Sequence, residues 1–247
     1  MARFSEQAAG RHENVEEGLA SSAAERLPNC AVEEGMFRGA AEGLASEGLA
    51  SGGLGHYKLI LASGSPRRKE LMEQMGLNFT VDTATSFEEV IPEGVTPEDV
   101  PSLFAEGKSL GFHRKLEEDE VLLSADTVVI CDDRIMGKPA SAEQAHEMLH
   151  LLSGREHKVV SAVCMRSNNG IQTLSDTAYV EFEPLSDSEI DYYIQRYRPL
   201  DKAGAYGIQE WIGMIGIRAI RGSFYSIMGL PTHLLYRLLR TLPDSTR

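Results

Sequence analysis

Residues 121–130 read VLLSADTVVI, a run that is almost entirely apolar and rich in β-branched side chains. Such a run predicts a strand buried on both faces, in the middle of a sheet that helices cover on both sides. Asp126 interrupts the run, and its carboxylate would be costly to bury without a partner. The residue is therefore either an aspartate satisfied by a local backbone hydrogen bond or a group that binds a metal or accepts a proton.

Strand patterns continue on both sides of this run. Residues 57–62 predict a buried strand, and Ser65 followed by Pro66 is typical of an N-cap and the first position of a helix. Residues 157–165 and 171–182 predict two strands joined by a Ser-Asn-Asn-Gly turn. These patterns place several strands around the central one.

Helix patterns alternate with the strands. Two capping boxes, at residues 141–144 and 186–189, each precede apolar residues at helical spacing. Residues 232–242 predict a last helix. Residues 96–117 also have a helical pattern, but Pro101 lacks an N–H group, so this helix begins late or bends. The sum predicts an α/β domain with a mixed sheet flanked by helices.

The first 56 residues differ in composition from the rest. They are rich in Ala, Gly, Glu and Ser, and the pentapeptide EGLAS occurs in them at positions 17, 42 and 47. Their leucines form no sustained helical stripe. We therefore predict a disordered tail over residues 1–56 and a catalytic domain over residues 57–247.

Composition excludes several classes of protein. A formal net charge of −13 opposes binding to nucleic acid, which depends on Lys and Arg neutralising phosphates. No apolar stretch is long enough to span a membrane, so we expect a soluble cytoplasmic protein without a membrane partner. Cys30, Cys131 and Cys164 form no Cys-x-x-Cys pair, which argues against a disulfide framework or a thiolate zinc site.

Three segments carry groups suited to a small anion. LILASGSPRR at residues 59–68 places hydroxyls and two arginines around a helix N-terminus, which attracts phosphate. GKP at residues 137–139 supplies a lysine, and DKAGAYGIQ at residues 201–209 combines charges with small residues that let backbone approach a ligand. Each has a plainer interpretation, namely a solvated surface pair, an exposed loop and a simple turn.

Six segments resemble those of Maf proteins, in the same order and with similar spacing. They are ASGSPRR at 62–68, SADTVV at 124–129, GKP at 137–139, LSG at 152–154, DKAGAYGIQ at 201–209 and MGLP at 228–231. The resemblance covers residue 57 to the C-terminus. It implies a fold similar to inosine triphosphate pyrophosphatases, often as a homodimer. It also implies hydrolysis of nucleoside triphosphates, here dTTP and UTP, to the monophosphate and pyrophosphate in nucleotide-pool cleansing.

The resemblance also implies a role for individual residues. Asp126 matches the proton acceptor and, with Glu89, would hold Mg²⁺ or Mn²⁺. The residues implied to bind the substrate are Ser63, Arg67, Arg68, Lys108, Lys138 and Lys202. Arg67, Thr127 and Gln209 stand where a related branch, acting on 7-methylguanosine triphosphate, carries Trp, Gln and Glu. Glu210 departs from the family, which commonly has Gly after the glutamine.

Two rival functions stay open at this point. His146-Glu147-x-x-His150 fits the pattern of zinc hydrolases, although the helical pattern turns both histidines away from the apolar face. A nucleotide-binding regulator of cell division without catalysis would use the same phosphate contacts as an enzyme. Asp126 favours the enzyme, because a carboxylate beside a polyanion needs a metal or a catalytic purpose.

Overall fold

A computed structural model describes residue 54 and residues 56–243 of the chain. Within these residues one sheet contains β1 (Lys58–Leu61), β2 (Phe79–Val81), β3 (Glu120–Cys131), β4 (Arg134–Met136), β5 (Glu156–Ser167), β6 (Gly170–Phe182) and β7 (Ile217–Arg221). The strand order is β2-β1-β3-β5-β6-β7, and β4 pairs with the end of β3. β1 runs parallel to β2 and β3, whereas β3, β5, β6 and β7 are successively antiparallel. The predicted mixed sheet is confirmed.

Helices flank this sheet. In chain order they are α1 (Pro66–Gln74), α2 (Val100–Leu110), α3 (Ala142–Leu152), α4 (Asp187–Tyr197), α5 (Trp211–Gly216), α6 (Phe224–Met228) and α7 (Thr232–Leu239). α2 packs on one face of the sheet, where Phe104 contacts Val128 and Val160. The remaining helices contribute to the larger core on the opposite face. The arrangement predicted from the alternating patterns, a sheet covered on both faces, is therefore confirmed.

The helix boundaries agree with the predicted capping patterns at some positions and differ from them at others. The pattern over residues 96–117 yields a helix only from Val100 to Leu110, because Pro101 fits the second helical position, where its missing N–H is not needed. At α4 the capping box is complete. At α3 the Ser141 hydroxyl accepts from the Gln144 N–H, but the Gln144 side chain accepts from Ala140 N–H at 2.6 Å.

A gap beside β3 positions the functional site. β1 pairs with β3 only as far as Leu123, and β4 pairs with it only from Val129 onward. Between these points no strand among the described residues pairs with residues 124–128 on this side of β3. The chain leaves β1 at this gap through the loop that leads to α1, so the carboxyl end of β1 opens onto the exposed middle of β3.

Most of the predicted tail, residues 1–53 and 55, lies outside the described residues. Leu54 is described and is only 8% exposed, within the main core. Its carbonyl accepts a hydrogen bond from Tyr57 N–H at 2.8 Å. Among the described residues no helix is long and apolar enough to cross a membrane. Cys131 and Cys164 are buried free thiols, and Cys30 lies outside the described residues.

Candidate active site

A cavity of about 770 Å³ lies at the gap beside β3. Its volume falls within the range of sites for nucleotide-sized ligands. Ten residues singled out in the sequence line it: Ser63, Arg67, Arg68, Glu89, Lys108, Asp126, Thr127, Lys138, Lys202 and Gln209. Six separate segments of the chain thus converge on one place, although the role of each residue stays a prediction.

Two carboxylates and one ammonium form the centre of the cavity. The Lys108 Nζ lies 2.6 Å from Asp126 Oδ1 and 2.7 Å from Glu89 Oε1. Asp126 projects from the face of β3 that α2 covers, and Lys108 follows Phe104 by one helical turn on the sheet-facing side of α2. The Asp126 partner in this structure is therefore a side chain across the cavity rather than a local backbone group.

The two carboxyl groups differ in their proton affinity. Burial raises the pKa of Asp126 above its usual value, although Lys108 and Arg68 oppose the shift. Burial alone would also raise the pKa of Glu89, but Lys108 and Lys138 outweigh it and lower that pKa. Asp126 is consequently a stronger proton acceptor than an ordinary aspartate, while Glu89 stays an anion. Such divergence is common in catalytic sites.

Arg68 is fixed from several sides. Its Nη1 donates to Ala125 O at 2.8 Å and to Ser63 Oγ at 3.1 Å, and its Nε donates to Gly229 O at 2.8 Å. Burial lowers its pKa. The interpretation of this arginine as a solvated surface group is wrong, because the protein already orients its guanidinium along one wall of the cavity.

Arg67 is held one position earlier in α1. It donates through Nε to Met228 O at 3.3 Å and through Nη1 to Asp201 Oδ2 at 2.8 Å. Ser65 makes no side-chain cap to α1. The first N–H groups of the helix therefore have no capping hydroxyl, and the first turn of α1 lines the same cavity, as an anion site requires.

Lys138 stands at the rim of the cavity, where it is exposed after β4. The carbonyl of the preceding Gly137 accepts from Gly204 N–H at 3.1 Å, which ties this turn to the 201–209 loop. Gly204 has a φ of +68°, and a Cβ there would lie 3.0 Å from the Val129 side chain. The expected reason for this glycine, close approach to a ligand, is thus replaced by close packing against β3.

The part of the cavity around Gln209 and Thr127, here called the base end, carries polar groups suited to a base. The Gln209 Oε1 is buried and has no hydrogen-bond partner within the described chain. Thr127 Oγ1 lies 2.8 Å from Ser161 Oγ and 3.2 Å from Gly229 O. An amide oxygen without a partner is costly to bury, so it favours a ligand that supplies a donor at this point.

The zinc-hydrolase pattern leads to no comparable site. His146 and His150 stack with ring centroids 6.4 Å apart on the outer side of α3, and Glu147 is exposed. The nearest acidic neighbour is Asp191, whose Oδ1 lies 3.6 Å from His146 Nε2. Across residue 54 and residues 56–243, no group of three or more His, Cys, Asp or Glu side chains is arranged to hold a metal.

Two residues of the site were missed in the sequence. The DKAGAYGIQ segment predicts no separate role for Asp201, yet its carboxylate pairs with both Arg67 and Lys202 at 2.8 Å. Ser161 is fully buried in an otherwise apolar part of β5 and pairs with Thr127 across the sheet. A lone hydroxyl in an apolar strand was the available signal, because such a group needs a buried partner.

Comparison with known proteins gives two kinds of match. Residues 58–242 match the family described as Maf-like protein. The chain is 47% identical over 191 residues to the dTTP/UTP pyrophosphatase of Porphyromonas gingivalis, covering 76% of this chain and 96% of that protein. It is 45% identical over 186 residues to the dTTP/UTP pyrophosphatase of Phocaeicola vulgatus, covering 75% and 96%.

Two solved structures have a weaker similarity to this chain. The Staphylococcus aureus Ham1 protein aligns with a TM-score of 0.43 and 16% identity, over 74% of this chain and 98% of that one. A HAM1 protein from Coxiella burnetii aligns with a TM-score of 0.40 and 15% identity, over 75% and 100%. At these scores neither structure carries an argument about this site.

Proposed function

This chain belongs to the Maf family, and from that premise we propose that it hydrolyses dTTP and UTP to the nucleoside monophosphate and pyrophosphate. Relatives named for that activity align over about three quarters of the chain. The observation that carries the proposal is the buried Asp126 carboxylate, set among basic groups in a nucleotide-sized cavity. The alternative of a regulator that only binds nucleotide is not favoured, because a carboxylate at this point would only repel a triphosphate.

The charges of the cavity support one orientation of the nucleotide. Arg68, Lys108 and Lys138, together with the N-terminus of α1, receive the triphosphate. Gln209 receives the base, since its buried amide oxygen accepts from the imide N–H that uracil and thymine share. Arg67 nearby disfavours a cationic methylated purine.

The residues of the centre fit a divalent cation. Glu89 and Asp126 converge on a single cationic atom, the Lys108 Nζ, so their oxygens can also share Mg²⁺ or Mn²⁺. Two carboxylates plus phosphate oxygens are a usual ligand set for Mg²⁺. When bound, the cation supplies charge neutralisation for the phosphate oxygens. Lys108 would then be free to donate to the phosphates.

Asp126 performs the proton transfer in this proposal. Its carboxylate accepts a proton from a water molecule as the water oxygen bonds to phosphorus, and the anhydride bond between the α and β phosphates breaks. The electron pair of that bond leaves with pyrophosphate, whose charge Arg68 and Lys138 balance. The raised pKa of Asp126 makes the transfer more favourable than for an ordinary aspartate.

The assembly and location of the protein are further proposals. We expect a homodimer in the cytoplasm, without nucleic-acid or membrane partners. The strongly negative charge supports the absence of a nucleic-acid partner. Sedimentation of the purified chain tests the dimer.

Release of pyrophosphate from a panel of nucleotides tests the function. With Mg²⁺ or Mn²⁺ we expect turnover of dTTP and UTP, weak turnover of purine triphosphates and little of 7-methylguanosine triphosphate. Asp126→Asn should lower turnover at least about a hundredfold while a nucleotide analogue still binds. A preference of the native protein for the methylated nucleotide, or full activity in Asp126→Asn, would overturn the proposal.

Changing Arg67 to Trp, Thr127 to Gln and Gln209 to Glu together should shift preference toward the methylated nucleotide, since Trp stacks on a cationic base and Glu accepts from its N–H groups. The same panel measures this shift. Unchanged preference would show that these positions do not select the base.

A further inference from the structure

A continuous chain of polar contacts runs behind the base end of the cavity. The Tyr193 hydroxyl on α4 donates to Glu210 Oε2, and Glu210 Oε1 lies 3.2 Å from Lys202 Nζ. Lys202 Nζ lies 2.8 Å from Asp201 Oδ1, and Asp201 Oδ2 accepts from Arg67 Nη1 at 2.8 Å. The chain therefore connects the interior of α4 with the first turn of α1.

Three members of this chain, Tyr193, Glu210 and Lys202, are poorly hydrated, whereas the Asp201 side chain is 54% exposed. Tyr193 is fully buried, and the side chains of Lys202 and Glu210 are 9% and 19% exposed. Burial, reinforced by the Glu210 carboxylate, raises the pKa of Tyr193, so its hydroxyl stays a donor. Because water does not replace the contacts among Tyr193, Glu210 and Lys202, loss of one of these partners leaves a buried charge or hydroxyl unsatisfied.

The same two residues fix the backbone that carries Gln209. The Tyr193 oxygen accepts from Gly207 N–H at 3.0 Å. Glu210 packs so closely under this turn that a Cβ on Gly207 would lie 2.8 Å from its Cδ. Tyr193 and Glu210 thus hold residues 207–210 from below, on the side away from the cavity.

The charges in the chain cancel. Arg67 and Lys202 carry two positive charges, and Asp201 and Glu210 carry two negative ones. Burial alone would raise the pKa of Asp201, but Lys202 and Arg67 outweigh it, so this carboxylate stays ionised. Around the two carboxylates of the centre lie three other cations, Arg68, Lys108 and Lys138. The excess positive charge lies only there.

We propose that Glu210 and Tyr193 are positioning residues for base selection, which rests on the function proposed above. They hold Gln209 in a rigid, electrically balanced end of the cavity that accepts an uncharged pyrimidine ring. Glu210 balances the charge of Lys202, which leaves the triphosphate to Arg68, Lys108 and Lys138.

Steady-state kinetics of Glu210→Gln and Tyr193→Phe with dTTP and dATP test this inference. Glu210→Gln removes the charge from the contacts with Tyr193 and Lys202, and Tyr193→Phe removes the hydrogen bonds to Glu210 and Gly207. KM for dTTP should therefore rise about tenfold, with kcat within about threefold of the native value. The preference for dTTP over dATP in kcat/KM should fall about tenfold, because the base end no longer holds Gln209 in place. The double variant should be little worse than either single one, since both break the same chain.

Matched controls separate positioning from general damage. Tyr197→Phe alters a tyrosine on the same helix whose hydroxyl makes no hydrogen bond within the described residues. Glu181→Gln alters a carboxylate on β6 that pairs with Arg218 on β7. Both should keep the native KM and base preference. Thermal unfolding identifies a variant that fails to fold, and Glu210→Gln, being nearly isosteric, then serves as the remaining test.

Three outcomes would overturn the inference: an unchanged KM and preference in Glu210→Gln, a loss confined to kcat, or equal losses in the controls. Binding of the α,β-imido analogue of dTTP is measured in parallel. If the native protein released no pyrophosphate from any nucleotide, the proposed function would fail. Weaker analogue binding in Glu210→Gln would still support the positioning role, and unchanged binding would reject it.

Discussion

Acidification should destabilise this protein through one buried histidine. His157 is 2% exposed and lies among the rings of Phe182 and Tyr206. Its Nε2 lies 2.7 Å from the Tyr206 hydroxyl, whereas its Nδ1 is buried without a partner in the described chain. Burial lowers the pKa of His157 from 6.5 to about 4. Between these two pKa values the His157 ring is therefore mostly protonated in the unfolded chain and mostly neutral in the folded state.

The size of the effect follows from the two pKa values. Well above pH 6.5 His157 is neutral in both the folded and the unfolded state, so the free energy of unfolding is not reduced by its protonation. As pH falls from 6.5 toward 4 only the unfolded state gains the proton, so the free energy of unfolding decreases, by about 3.4 kcal/mol over the whole window. Between pH 7 and pH 5 the loss should be about 2 kcal/mol.

Urea unfolding at pH 7, 6 and 5 measures this loss. His157→Gln replaces the ring with a neutral group that cannot titrate, and its stability should fall by about 2 kcal/mol less than the native protein over the same interval. His150→Gln, which alters an exposed histidine on α3, should leave the native pH dependence intact. Equal pH dependence in the native protein and His157→Gln would refute the reasoning.

Three further results are expected. Glu89→Gln should raise the Mn²⁺ concentration needed for half-maximal turnover at least about tenfold, because it removes one of the two carboxylates proposed to hold the cation. An unchanged metal dependence of pyrophosphate release would contradict that role. Leu54→Ala should lower the free energy of unfolding by about 2–4 kcal/mol in urea, whereas a chain beginning at residue 52 should keep native stability and turnover. His146→Ala combined with His150→Ala should leave pyrophosphate release unchanged, and loss of activity there would revive the zinc-hydrolase interpretation.

The strands were predictable because their signals are local. β3 is apolar and β-branched on both faces, and such a run suits only the interior of a sheet. The β5 and β6 hairpin follows from two alternating runs around a short turn. At α4, Ser186 and Glu189 cap each other, so the beginning of that helix depends on neighbouring residues alone.

The contacts within the site depend on packing that local patterns do not contain. Lys108 meets Asp126 only because α2 docks across the covered face of β3. The helical pattern predicts Tyr193 only as a buried aromatic residue of an amphipathic helix, and the neighbouring residues in the sequence do not predict its contact with Glu210. The family resemblance predicted roles for Lys108 and Asp126, whereas the contact of Tyr193 is found only in the three-dimensional structure.

The gap beside β3 makes one arginine part of the sheet. The Leu123 carbonyl accepts from Ala62 N–H of the departing β1 chain at 2.7 Å, and two residues later the Ala125 carbonyl accepts from the Arg68 guanidinium at 2.8 Å. A side chain thus continues the hydrogen bonding where the neighbouring strand has ended. Replacement of Arg68 by a side chain without a donor would therefore also leave a main-chain carbonyl of the central strand unpaired. The same side chain thus contributes to the folding of the sheet and to the binding of triphosphate proposed above.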